Sequence, residues 1–275
     1  MFQVLSDIHL EKTPKKYAQK RILSLLPEHR TPYLFLAGDI GNPHEQSYWD
    51  FLTLMSSSYS FVFLITGNKE YDLEKDLENE VMKVDLFIHR EIVRLELKNV
   101  FFLNNKSIEM NDFIIVGTTL WSRIKKCTFP NDRIITKLFE KNVEFVEKQV
   151  WRYRSSSKPL ILLTHFAPTK CGTTSVGVVQ DDFHSSELFS ILPDHCRVGI
   201  SACVYGHTHF NPRNHKNFVT GLPMFVCNQS GYGYQMNGKN RPIFQFSLNF
   251  SFRLGKRTRK YSNPNKNFSS SHVSS

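Results

Sequence analysis

Apolar residues fall into two patterns along this chain. Short, nearly unbroken apolar runs recur in Met1-Phe-Gln-Val-Leu-Ser-Asp-Ile-His-Leu10, Tyr33-Leu-Phe-Leu-Ala-Gly-Asp39, Phe61-Val-Phe-Leu-Ile-Thr-Gly-Asn68, Pro159-Leu-Ile-Leu-Leu-Thr-His165 and Cys203-Val-Tyr-Gly-His-Thr-His209. Runs of this length read as strands. Other stretches space their apolar residues by three and four. Leu73, Leu77, Val81, Val84, Ile88, Ile92 and Leu95 give the clearest helix. Ile135, Phe139, Val146 and Val150 give a second, from Asp132 to Trp151, with Asn131 or Asp132 as its cap. Weaker helices are predicted over Lys15 to Leu26, stopped by Pro27, over Glu45 to Met55, ended by Ser56-Ser57-Ser58, and over Ser185 to Leu192. Further strands are predicted at Val100 to Leu103, Phe113 to Val116, Pro223 to Cys227 and Pro242 to Phe250. Strands alternating with amphipathic helices predict an α/β protein whose sheets are covered by helices.

Composition narrows this picture. At 275 residues and 40% hydrophobic, the chain suits one domain with a substantial core, predicted over 1–250. The net charge of +10 is unevenly placed, since Arg253, Lys256, Arg257, Arg259, Lys260 and Lys266 crowd into residues 251–275 without an acid. That segment is predicted to be a basic, disordered tail, and it is the feature through which nucleic acid could be a partner. Five cysteines without a CxxC pair make neither a disulfide framework nor a structural zinc pattern. No basic and apolar leader opens the sequence, and no apolar run is long enough for a bilayer span. A cytoplasmic location, or the nucleus, is expected. Two loops are candidate borders of a site, the rim or lid Ser122 to Pro130 and the Gly-, Thr- and Ser-rich loop Pro168 to Gln180.

The chemistry lies where the strands stop. Alternate residues of an extended strand share a face, so Asp7 and His9 are expected to reach one ion. Gly38 and Gly41 are expected to let the chain turn sharply around Asp39. Asp7, His9, Asp39, Asn68, His165, His207 and His209 make seven candidate ligands, too many for one ion and about right for two that share a carboxylate. Oxygen and imidazole donors without thiolate suit divalent manganese, iron, zinc or nickel, with manganese preferred. Two such ions, held about 3.5–4 Å apart, turn a bridging water into a hydroxide nucleophile and clamp a phosphoryl oxygen, which is hydrolysis of a phosphate ester. His44, near Asp39, is a minor candidate; His89, His184, His195 and His215 lack partner spacing. Tyr232 and Tyr234 are equally readable as cleft lining or as a turn, and Phe61, Phe63, Phe101 and Phe102 as core.

In order and spacing, Asp7-Ile-His9, Gly38-Asp39, Gly67-Asn68-x-Glu70, His165 and Gly206-His-Thr-His209 resemble the calcineurin-like metallophosphoesterases. Weaker matches at Gly117-x-x-Leu-Trp121, Thr164-His-x-x-Pro168 and Asn228-x-x-Gly231-Tyr232 resemble its small Icc-like branch. The resemblance covers roughly residues 1–235. It implies a four-layer αββα sandwich, two mixed β-sheets flanked by helices, with the metal site at the strand ends. It further implies one ion on Asp7, His9, Asp39 and His209, a second on Asp39, Asn68, His165 and His207, Asp39 as the bridge, and Asn68 in contact with the substrate phosphate. Lys69 stands where the family carries a histidine that touches the phosphate and serves as proton donor to the leaving group. A lysine still offers positive charge but is poorly matched as an acid at neutral pH unless desolvated. The catalytic candidates are therefore Asp39, Asn68 and Lys69, acting on a small phosphate ester, monoester or diester. A nuclease, or a binding scaffold weakened in catalysis at Lys69, are the alternatives.

Overall fold

Consecutive apolar residues make strands that are buried on both faces, and here they form two stacked sheets. The computed structural model describes residues 1–73, 76–125, 127–170, 173, 185–211, 223–232 and 251–252. The first sheet runs β1 (Phe2–Leu5), β2 (Tyr33–Ala37), β3 (Phe61–Ile65) and β4 (Val100–Phe102), all parallel, with Leu5 opposite Leu36 and Leu36 opposite Leu64. The second comprises β5 (Lys106–Glu109), antiparallel to β6 (Ile114–Thr118), followed in parallel by β7 (Leu160–Thr164), β8 (Ala202–Val204) and β9 (Met224–Val226). A two-residue strand β10 (Ser251–Phe252) joins the first sheet antiparallel to β1, making it mixed as well.

The two faces of each strand are sorted by alternation. Val4, Phe35, Phe63, Phe113, Ile115, Ile161, Leu163 and Val204 point between the sheets and form one core. Leu5, Leu34, Leu36, Val62, Leu64, Ile114, Val116, Leu160 and Leu162 belong to a second core shared with the helices. Those helices are α1 (Lys15–Leu23), α2 (Gln46–Ser58), α3 (Leu77–Arg94), α4 (Asp132–Arg152), α5 (Leu188–Ile191) and α6 (Asp194–Gly199). With α2 and α3 on the first sheet and α4 on the second, the layers run αββα as expected. Phe63 is buried, with Phe61 and Phe101 packed beside it, in the aromatic cluster that includes the edge-on pair Phe2 and Phe113 at 5.0 Å, while Phe102 is buried in the core shared with the helices. Among the described residues, no helix is long and apolar enough to cross a membrane.

Several boundaries differ from the sequence reading. The triple serine does not end α2, which continues to Ser58; the Ser57 hydroxyl donates back to Leu54 O, so a serine here satisfies itself inside the last turn. Asn131 is the N-cap residue of α4, as expected, but its side chain does not make the capping bond. Instead Asn131 Nδ2 donates to Leu73 O, and the Asp132 carboxylate accepts the amides of Thr128 and Phe129, tying the preceding loop down. The strand β5 and the short α6 were not expected. A polar Lys-Ser-Ile-Glu edge strand carries almost no alternation signal, and α6 is only six residues long. The strand Pro242 to Phe250, most of the loop Pro168 to Gln180 and the basic segment past Phe252 lie outside the described residues.

Candidate metal site

The site begins with backbone conformation. Asp7, His9, Asp39, His207 and His209 all have φ between 51° and 71°, the left-handed region that residues other than glycine seldom enter. Strain of this kind, repeated at one place, is characteristic of functional sites. It corrects the expectation that Asp7 and His9 converge because alternate strand residues share a face. Strand β1 ends at Leu5, and both residues reach the site by left-handed turns beyond it. Cross-loop hydrogen bonds hold these turns: Asp7 N donates to Gly38 O at 3.1 Å, His9 N to Asp39 O at 3.1 Å, and Gly206 N to His165 O at 2.9 Å.

Of the two glycines flanking Asp39, only Gly38 has positive φ, at 80°; Gly41 is instead pressed against Leu10. Gly67 matters through proximity, because a Cβ there would stand 2.2 Å from Asp39 Oδ1 and 2.7 Å from Asp39 N. Gly67→Ala is therefore expected to displace the Asp39 carboxylate, lower bound metal and cost about 1–3 kcal/mol of unfolding free energy. Elemental analysis and thermal unfolding check this; unchanged metal content would show that the crowding is relieved elsewhere.

The seven predicted ligands converge on two adjacent clusters. In the first, Asp7, His9 and His209 meet, with His9 Nε2 3.1 Å from His209 Nε2 and Asp7 Oδ1 3.3 Å from His209 Nε2. In the second, Asp39, His165 and His207 meet, and His165 Nε2 lies 3.4 Å from Asp39 Oδ1 and 3.2 Å from His207 Nδ1. Asn68 joins this second cluster, its Oδ1 3.1 Å from His165 Nε2. Asp39 faces both, with its other oxygen 3.8 Å from His9 Nε2. Asp7, His9, Asp39, Asn68 and His165 are buried, and His207 and His209 are partly exposed at the mouth.

Donor chemistry shows that a cation fits. His165 Nδ1 faces the Ala37 carbonyl at 2.9 Å and must donate to it, which in the neutral ring leaves Nε2 a bare lone pair aimed at Asp39 and Asn68 oxygens. His9 is set the same way by Glu11, whose Oε1 accepts from Nδ1 at 3.0 Å and turns Nε2 inward. Lone pairs crowded at about 3 Å repel unless positive charge sits among them. The balance of charge around these groups makes the same demand. Burial works against the His165 imidazolium, yet the charge and hydrogen bond of Asp39 outweigh it and push the ring up to about 9. Burial likewise raises Asp39 and Asp7, and neighbouring histidines more than offset it, holding both carboxyls below their ordinary range.

A pH dependence follows for protein stripped of metal. His165, raised from its ordinary 6.5 to about 9, contributes stability that is complete below pH 6.5 and lost as pH rises through 9. The loss is on the order of 3 kcal/mol. Thermal unfolding in chelator is expected to fall between pH 6.5 and 9.5, whereas protein saturated with a divalent cation keeps its stability. The same fall in both samples would reject this account.

Several supporting residues were not singled out from sequence. Glu70, buried, accepts the amides of Asp39 at 3.0 Å, Ile40 at 2.7 Å and Gly67 at 2.7 Å, and so holds two ligand loops with one carboxylate. Burial and the Asp39 charge push its carboxyl up to about 8, against the pull of His165 and those amides. Gln229 Oε1 accepts His209 N at 2.6 Å, and both Asp7 oxygens accept His207 N at 3.0 Å. Glu70 could be suspected from its place in Gly67-Asn68-x-Glu70, and Glu11 from following His9 by two. Nothing in the sequence marks Gln229. The Lys69 amide donates to Asp39 Oδ1 at 2.8 Å while its side chain is exposed. Tyr232 packs its ring 4.3 Å from His9 and 4.7 Å from His209, favouring the cleft-lining reading. His44 turns away to stack on Phe87 and takes no part. His89 and His195 are exposed elsewhere, and His184, His215 and Tyr234 lie outside the described residues.

Similarity to known proteins extends over most of the chain. The family model described as calcineurin-like phosphoesterase matches residues 2–211. An uncharacterized protein of Acanthamoeba polyphaga mimivirus is 28% identical, over 87% of this chain and 94% of its own length. Among solved structures, a putative 5'-nucleotidase from Staphylococcus aureus superposes with a TM-score of 0.46 at 13% identity, over 84% of this chain, which spans about half of that protein at 48%. GAP50, the anchor in the inner membrane complex of Plasmodium, gives a TM-score of 0.42 at 12% identity over 84% of this chain and 71% of its own.

Proposed function

The chain belongs to the calcineurin-like phosphoesterase family, and from that premise we propose that it hydrolyses a small phosphate ester with two divalent metal ions, manganese being the preferred pair. The observation that carries this reading is the pair of clusters sharing one carboxylate, Asp7-His9-His209 and Asp39-His165-His207, with Asp39 facing both. Asp7, His9, Asp39 and His209 would hold one ion, and Asp39, Asn68, His165 and His207 the other. Such ions, when bound, would supply Lewis-acid polarisation of the phosphoryl group and acidification of water at neutral pH. Asp39 is kept in place for both sides by the Lys69 amide. Asn68, whose Oδ1 lies 3.1 Å from His165 Nε2, would offer its carboxamide to the phosphate. The exposed Lys69 side chain, next in sequence to Asn68, would add positive charge to the phosphoryl oxygens instead of donating a proton.

The test is to load the purified protein with manganese, count ions per chain, and assay mono-aryl and bis-aryl phosphates before and after chelation. Two ions per chain and hydrolysis that is lost in chelator and restored by metal are expected. A folded protein that takes up no divalent metal, or turnover indifferent to the chelator, would refute the reading.

A further inference from the structure

A cleft of about 500 Å³ opens beside the first cluster, and His9 lines it. The three-residue 3₁₀ turn Leu10–Lys12 and helix α1 build its far wall, bringing Lys12, Lys20 and Arg21 around the opening together with Tyr17 and Pro14. Its lining contains three cations and no carboxylate. Past Glu11, which is engaged by His9, the segment shares this imbalance, since residues 12–24 carry Lys12, Lys15, Lys16, Lys20 and Arg21 and no acid.

Arg21 makes the imbalance specific. Its guanidinium is half-buried, and among the described residues its partner is a neutral one, the Ser230 hydroxyl at 2.5 Å. A partly desolvated cation held on a hydroxyl, with most of its N–H donors uncommitted, is costly unless an anion arrives to meet it. Burial accordingly lowers the Arg21 pKa. Lys12 and Lys20, both exposed, have no carboxylate partner among the described residues. An arginine fork flanked by two ammonium groups suits a phosphate, which has both the charge and the oxygens to engage them.

We propose that this cleft binds a second phosphate of the substrate, so that the preferred substrate is a small phosphate ester bearing a further phosphate group. The inference rests on the metal-dependent hydrolysis proposed above, because His9 is common to cleft and cluster and places the two phosphates side by side. Lys12, Lys20 and Arg21 hold the unreactive phosphate, while the ester to be cleaved lies over the two clusters. The volume is within the range of small-molecule sites, about 300–1,000 Å³, and leaves space for the part of the substrate that joins the phosphates. The Tyr17 ring and Pro14 offer that part an apolar wall.

The experiment compares the manganese-loaded wild type with a Lys12→Ala, Lys20→Ala double variant, whose changes are at exposed positions outside the clusters. Three substrates are assayed: an aryl monophosphate, a nucleoside 3',5'-bisphosphate and a single-stranded oligonucleotide. The double variant is expected to lose about 30-fold in kcat/KM on the bisphosphate and stay within about twofold on the aryl ester. Equal losses on both substrates, or no loss on the bisphosphate, overturn the proposal. So does a wild type that prefers the oligonucleotide, because the cleft would then serve a nucleic-acid backbone. Titration with methylenebisphosphonate gives a readout independent of turnover. The double variant is expected to bind it at least tenfold more weakly, and equal affinity rejects the cleft. Absence of aryl-ester hydrolysis in the wild type would instead count against the hydrolase reading alone.

Discussion

Asp39→Asn is expected to reduce kcat/KM on an aryl phosphate by about 10³-fold or more, equivalent to roughly 4 kcal/mol of transition-state stabilisation. The substitution preserves shape. Its carboxamide oxygen can still accept the Lys69 amide, now 2.8 Å from Oδ1, so the loop between β2 and α2 need not move. What it removes is the negative charge that faces both clusters, 3.4 Å from His165 Nε2 and 3.8 Å from His9 Nε2. Losing a mere outer partner of a metal ligand typically costs 10–100-fold in affinity or activity, and a carboxylate shared by two ions should cost more. Metal content is expected to fall to one ion per chain or fewer, with the circular dichroism spectrum unchanged. Activity within tenfold of wild type would show that Asp39 does not bridge.

The second large effect concerns the leaving group. Lys69→His is expected to raise hydrolysis of an unactivated alkyl phosphate by about 10²-fold relative to an activated aryl phosphate, the lower end of what a well-placed general acid supplies. An aryl oxide leaves without help, so its rate should hardly respond. The change is well isolated because the backbone at this position is fixed independently of the side chain. The Lys69 amide is bound to Asp39, and Glu70 anchors Asp39, Ile40 and Gly67. An equal response of both esters would mean that the side chain acts through charge alone.

Much of the fold was legible because its signal is local. Apolar runs mark β1, β2, β3, β7 and β8, and the spacing of Val84, Ile88 and Ile92 marks the buried face of α3. Where local and tertiary preferences part, the reading failed. The polar strand β5 exists because Lys106 to Glu109 can pair with the β6 edge, and pairing partners leave no trace in a run of four residues. The serines of α2 were read as a break because isolated serine favours turns, while packing of Tyr48, Phe51, Leu52 and Met55 carries the helix through them. Gln229 escaped notice, and Glu70 was legible only as part of a motif, because their partners are backbone amides, which every sequence has everywhere.

The candidate site divides along the same line. Chain order and residue type by themselves determined which seven side chains stand at strand ends, and that oxygen and imidazole donors without thiolate suit hard divalent ions. How they are shared was available from the family resemblance and not from residue type or spacing, because tertiary structure is what sets it. Asp7 and His9 are two residues apart and fall in the same cluster, whereas His207 and His209, also two apart, fall in different ones. Spacing cannot separate these pairs. All four lie in left-handed turns beyond their strands, so the direction of each side chain depends on the turn and on the neighbouring loop that braces it.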